Sequence, residues 1–116
     1  MSNETKKITK MIDEVTNFFL LKYKCEIIIH LIPRKEEHEI KFLLKGVHPD
    51  EKEFNTLKDL LDSERDPSLS SYYWQLAGEV EDGNELAVVA MMCDTIKPER
   101  SDDGLVVTLI RKNVPE

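Results

Sequence analysis

Asp13 and Asn17 stand one helical turn apart in the run Asp13-Glu14-Val15-Thr16-Asn17, a carboxylate and a carboxamide that one face of a helix presents together. They fall off the apolar stripe of that helix, so the residues by themselves read as a solvated face, with a polar ligand as the alternative. His30, His38 and His48 lack helical ligand spacing, and only two of them share a hairpin. They predict surface or strand-edge positions and no metal site. There is no Gly-x-Ser-x-Gly elbow, and neither Cys25 nor Cys93 has a histidine beside it in sequence to activate a thiolate. Nucleophilic catalysis therefore has no support. Tyr72, Tyr73 and Trp74 are consecutive, and no single helical face buries all three. They read either as a lid over the following helix or as a partner-binding patch, because aromatic side chains anchor interfaces. Met91 and Met92 read as core filling.

The residues that must hold these groups amount to one compact domain. The chain has 116 residues, 34% of them charged and 41% hydrophobic, a globular composition with room for a single core. No apolar run approaches the about 20 residues that a bilayer span needs, which excludes membrane insertion. Lys6, Lys7 and Lys10 lead into an amphipathic pattern and not a signal sequence, so a cytoplasmic, soluble protein is expected. Cys25 and Cys93 lie far apart in apolar segments with no Cys-x-x-Cys pattern, and are expected as buried, inert free thiols. A net charge of −7 opposes the counterion displacement on which nucleic-acid binding depends, and the basic residues form no stripe.

Residues 5–23 predict a helix, since Ile8, Met11, Ile12, Val15, Phe18 and Phe19 recur at intervals of three and four. Residues 25–32 and 38–44 predict a hairpin. A turn at Lys35-Glu36 sets Ile27, Ile29 and Leu31 against Leu44, Phe42 and Ile40 on a core face. Glu26, His30, Glu39 and Lys41 take the other face, which Ile28, Ile32 and Leu43 make partly apolar. Asp50 can cap a second helix over 50–62, with Glu53 at capping-box spacing before Phe54, Leu57, Leu60 and Leu61. A loop over 63–71, a short aromatic helical piece ended by Gly78, and a polar loop over 79–84 follow. Residues 85–96 suit a helix or a buried strand. Their length, their Ala and Met content and the Lys97-Pro98 break favour the helix. Asp102-Asp103-Gly104 is a turn, the alternation from Leu105 to Ile110 is a final strand, and a short strand around 97–100 pairs with it.

This order predicts an α+β two-layer sandwich, a mixed, mostly antiparallel sheet of about four strands with three helices on one face. It resembles the GHKL ATPase fold, the ATP-binding domain of sensor histidine kinases and anti-sigma-factor kinases, over about residues 5–112. In that family the first helix carries an acid and, beyond three intervening residues, an Asn that holds magnesium against the phosphates. The resemblance places Asp13 and Asn17 at those positions. The family's Asp-x-Gly-x-Gly box corresponds to Leu44-Lys45-Gly46-Val47-His48-Pro49, in which Gly46 matches the first glycine, Leu44 replaces the adenine-reading acid and His48 replaces the second glycine. Its phosphate-clamping glycine run corresponds to Gly83-Asn84-Glu85-Leu86-Ala87-Val88-Val89, which keeps Gly83 and sets the anion Glu85 where phosphate would sit. The closing strand is similar to Asp103-Gly104-Leu105-Val106-Val107-Thr108-Leu109-Ile110-Arg111.

The resemblance implies ATP and magnesium as ancestral ligands, with Asp13, Asn17, Gly46 and Gly83 as the remnants of a nucleotide site and Asn17 as the metal ligand if Mg-ATP binds. A lost hydrogen-bond acceptor for adenine costs on the order of 1–3 kcal/mol, and the altered phosphate loops add to it. The expectation is a degenerate histidine-kinase-like signalling domain, a pseudo-enzyme without cofactor. It would act through a protein partner or self-association, using the second sheet face and Tyr72, Tyr73 and Trp74. The alternatives are an active ATP- and magnesium-binding domain of sensor-kinase type, and an unrelated small α+β interaction domain in which residues 85–94 form a strand and make a four-stranded antiparallel sheet on two helices.

Overall fold

The computed structural model describes residues 3–61, 89 and 92–113. Helix α1 (Asn3–Tyr23) leads into strands β1 (Ile27–Pro33) and β2 (Glu37–Lys45), helix α2 (Glu51–Leu61), and strands β3 (Thr95–Ser101) and β4 (Gly104–Lys112). The four strands form one sheet in the order β1-β2-β4-β3.

Every neighbouring pair in that sheet is antiparallel, which corrects the expectation of a mixed sheet. The reason is local: tight reversals join β1 to β2 and β3 to β4, and β2 and β4 then meet with opposite directions. The hairpin register is the expected one, with Ile27, Ile29 and Leu31 opposite Leu44, Phe42 and Ile40.

Helix α1 buries Ile8, Met11, Val15 and Phe19, spaced three or four apart, against the inward row Ile40, Phe42 and Leu44 of β2 and Leu105, Val107 and Leu109 of β4. It ends at Lys24, which adopts a left-handed φ of 49° while its N–H still donates to the Leu20 carbonyl at 2.9 Å. Helix α2 starts as its sequence dictates, the Glu53 N–H donating to Asp50 Oδ1 at 2.8 Å. It buries Leu57 and Leu61, and the Arg100 guanidinium of β3 lies 4.4 Å from the centre of the Phe54 ring.

Two helices, α1 and α2, lie among the described residues, where three were expected of the chain. Val89 and Met92 have helical backbone, so these two positions of the 85–96 segment follow the helical expectation and not the strand alternative. The helix expected to reach residue 96 stops short, because Cys93 is no longer helical and β3 begins at Thr95. β4 needs a pairing partner at Ile110 and Leu109, and Thr95 and Ile96 supply it. The expected loops over 63–71 and 79–84 and the aromatic piece lie outside the described residues.

Asn113 ties the end of β4 to the first hairpin. Its N–H donates to the Glu36 carbonyl at 2.8 Å, its Nδ2 donates to the carbonyls of Arg34 and Lys35, and its Oδ1 lies 2.6 Å from His38 Nδ1. His38 is thereby fixed beside the turn it was expected to flank.

Candidate functional site

Of the residues expected to form a nucleotide site, Asp13 and Asn17 lie on α1 and Gly46 in the turn after β2. Asp13 lies on α1 with its side chain 71% exposed, 3.9 Å from Lys10 Nζ, and Asn17 is exposed on the same helix. Between them in sequence, Glu14 turns inward and meets Lys10 Nζ at 3.2 Å. Gly46 sits in the turn after β2, with a φ of 76°; its N–H donates to the Asp103 carbonyl at 2.9 Å and the next N–H, of Val47, to the Leu44 carbonyl. That left-handed backbone is the requirement that selects glycine there, and it serves to end β2 beside the β3–β4 turn. Leu44 is completely buried in the core opposite Leu105. A carboxylate in its place would be an unpaired buried charge, so core packing alone accounts for the apolar residue. Gly83, Tyr72, Tyr73 and Trp74 lie outside the described residues.

Gly46 lines a cleft of about 330 Å³ together with Tyr23, Cys25, Lys45, Val47, His48, Pro49 and Glu53. Neither Asp13 nor Asn17 lines it. A second cleft of about 380 Å³, between the end of α1 and the start of α2, shares Tyr23 and Glu53 and adds Phe18, Lys22, Asp50, Lys52, Thr56 and Leu57. Cys25 is half-buried at the first cleft and not fully buried as expected, because it precedes β1 in the link from α1; Cys93 is buried, and both are free thiols. Among the described residues no hydrogen bond joins Tyr23, Cys25, His48 and Glu53 to one another, and no group of three or more His, Cys, Asp or Glu side chains is placed to hold a metal ion.

Among the described residues, Tyr23 is the titrating group the fold perturbs most clearly. Burial pushes its phenol above the ordinary value of 10.0, and the Glu53 carboxylate and the Cys25 thiol add to the rise. The ring stacks on Phe19 at 6.1 Å. A phenol whose folded-state pKa lies above its unfolded value binds its proton more tightly in the native state. Its stabilising contribution is intact below about pH 10 and is lost as pH rises through the raised folded value. Thermal unfolding followed from pH 9 upwards is therefore expected to show a steeper alkaline loss of stability in the native chain than in Tyr23→Phe, which keeps the stacked ring and removes the titration.

The feature that residue patterns did not single out is the end of the inward row of β4. Leu105, Val107 and Leu109 are followed in phase by Arg111, which is 1% exposed. Its Nε and Nη2 donate to the two carboxylate oxygens of Glu4 at 3.0 and 2.7 Å, and its Nη1 donates to the Met92 carbonyl. The strict alternation of β4 carried the signal, since an inward arginine must find a carboxylate.

Neither a protein-family model, nor a curated protein, nor a solved structure matches the chain. The fold defines the class: an α+β domain that, among the described residues, sets two helices against a four-stranded antiparallel sheet. Among the described residues, no helix is long and apolar enough to cross a membrane. The second face of the sheet, where half-buried Leu43 and Val106 continue the row begun by Ile28, and the outer edge of β1 have no element packed on them among the described residues.

Proposed function

We propose that this chain is a small signalling domain of cytoplasmic, bacterial type, a degenerate relative of the histidine-kinase ATPase fold that works by protein contact and has lost its nucleotide. The observation that supports the reading is the burial of Leu44. Gly46 faces a cleft lined by neither Asp13 nor Asn17, and the position expected to read adenine is Leu44, sealed in the core. A magnesium-bound phosphate needs the amide, the glycine turns and the purine acceptor around one cavity.

The contact surfaces are apolar. Ile28 on the second sheet face is 45% exposed, and Ile29 and Leu31 on the helix-facing side of β1 are 40% and 41% exposed. The last two were expected in the core; they lie open because β1 is an edge strand, beyond the cover that α1 gives to β2. The Tyr72 to Trp74 patch belongs to the same proposal as a second anchor. The wholly antiparallel sheet suits a contact domain of separate ancestry equally well, and the test below serves both. Calorimetric titration with Mg-ATP is expected to give no binding at micromolar concentration, whether Asn17 is native or alanine. Micromolar binding that Asn17→Ala abolishes would overturn the contact reading in favour of an active nucleotide-binding domain.

A further inference from the structure

The two edges of the sheet are built differently. β3 carries Lys97, Pro98, Glu99 and Arg100, and a proline inside charged neighbours is a common protection against edge pairing. β1 reads Ile27-Ile28-Ile29-His30-Leu31-Ile32-Pro33, with His30 its sole titratable side chain. Among the described residues it pairs with β2 alone.

The direction of its backbone groups follows from the hydrogen bonds at its ends. Lys45 N–H donates to the Glu26 carbonyl at 3.0 Å and Arg34 N–H to the Glu37 carbonyl at 2.8 Å. Even-numbered residues therefore bond to β2, and the alternation of an antiparallel ladder turns Ile27, Ile29, Leu31 and Pro33 toward the open edge. Their side chains point to the helix-bearing side, where Ile29 and Leu31 stand uncovered.

We infer that β1 pairs with β1 of a second copy of this chain, antiparallel about a two-fold axis through His30, joining two four-stranded sheets into one. The inference rests on the protein-contact reading and names its partner. In this register Ile29 lies opposite Leu31 of the second copy and exchanges both backbone bonds with it. Ile27 donates to the Pro33 carbonyl of the second copy, so the missing proline N–H falls at the rim. On the opposite sheet face Ile28 meets Ile32 of the second copy.

The flanking charges select this register. With His30 on the axis, Glu26 falls opposite Arg34 of the second copy, one complementary pair on each side of the axis. Sliding by one step, to an axis through Ile29, would instead set Glu26 against Ile32 and lose that pair. Glu26 and Arg34 have exposed side chains, paired among the described residues with exposed Lys45 at 3.9 Å and half-buried Glu39 at 3.3 Å, and their exposed ends can reach a second copy. A self-complementary strand in an isologous contact also explains how copies that each carry a net charge of −7 associate, since β1 itself holds no carboxylate.

Sedimentation velocity of the full chain across a concentration series tests this. A monomer–dimer equilibrium is expected. Glu26→Arg alone and Arg34→Glu alone should each weaken it about tenfold, because attraction becomes repulsion at both symmetric pairs. The double variant Glu26→Arg with Arg34→Glu should return the dimer to near native strength. A chain that stays monomeric up to millimolar concentration overturns the self-pairing and leaves the contact reading to the Mg-ATP titration. A dimer indifferent to both single reversals, or weakened by them and not restored by the double, overturns the register.

Discussion

Arg111→Ala is expected to lower the stability of this fold by roughly 3–5 kcal/mol, the cost of removing one member of a buried ion pair and leaving the other uncompensated. The guanidinium is 1% exposed and makes a two-pronged contact with Glu4, which lies 107 positions earlier in sequence, so the pair fastens the first turn of α1 to the last strand. It also satisfies the Met92 carbonyl at the point where the chain leaves helical backbone for β3. Alanine removes all three donors and leaves a cavity beyond Leu109. Against the roughly 5–15 kcal/mol that domains of this kind possess, such a loss is a large fraction. Chemical denaturation should show the midpoint falling with little change in slope, and the double variant Glu4→Ala with Arg111→Ala should cost less than the sum of the two single changes. A loss below about 1 kcal/mol in Arg111→Ala would show that the pair contributes no more than an exposed surface bridge.

Gly104→Ala is the second large effect, and its cause is backbone geometry. Gly104 has a φ of 146°, and a Cβ built on it would lie 2.1 Å from the Leu44 carbonyl oxygen and 3.0 Å from the Gly46 nitrogen. Both obstacles are main-chain atoms of β2 and its following turn, so no side-chain rotation relieves the contact. Strained backbone at roughly 1–3 kcal/mol together with overpacking at roughly 1–3 kcal/mol gives a loss of about 2–6 kcal/mol. Gly46→Ala should cost less, because its φ of 76° is strained but a Cβ there meets nothing within 4 Å. Equal losses in the two alanine variants, compared by thermal unfolding, would contradict the close approach of β2 and β4 at this point.

Much of the fold was legible because single residue types dictated it. The intervals between Ile8 and Phe19 fixed the buried side of α1, Asp50 and Glu53 marked the start of α2, and the Pro33-to-Glu37 break set a hairpin register that the structure reproduces pair by pair. Two things were not legible. Alternation assigns Ile29 and Leu31 to the core face, yet it carries no information on strand order, and only the order β1-β2-β4-β3 reveals that this strand stands at an edge. The Arg111–Glu4 pair joins the two ends of the chain, a tertiary coincidence that no local window contains. For the candidate site the limit was of the same kind. Spacing placed Asp13 and Asn17 together on α1, and Gly46 was recognisable as a turn glycine, but whether the helix face and the turn share one cavity depends on packing, and the cleft that Gly46 lines is lined by neither Asp13 nor Asn17.

The most direct measurement is an amide proton–nitrogen correlation spectrum of the full chain titrated with Mg-ATP, read residue by residue. With the nucleotide site lost, millimolar Mg-ATP leaves the amide signals of Asp13, Asn17, Gly46 and His48 in place. Saturating shifts at Asn17 and Gly46 together, at micromolar ligand, would unite the helix face and the turn in one working pocket and contradict the account.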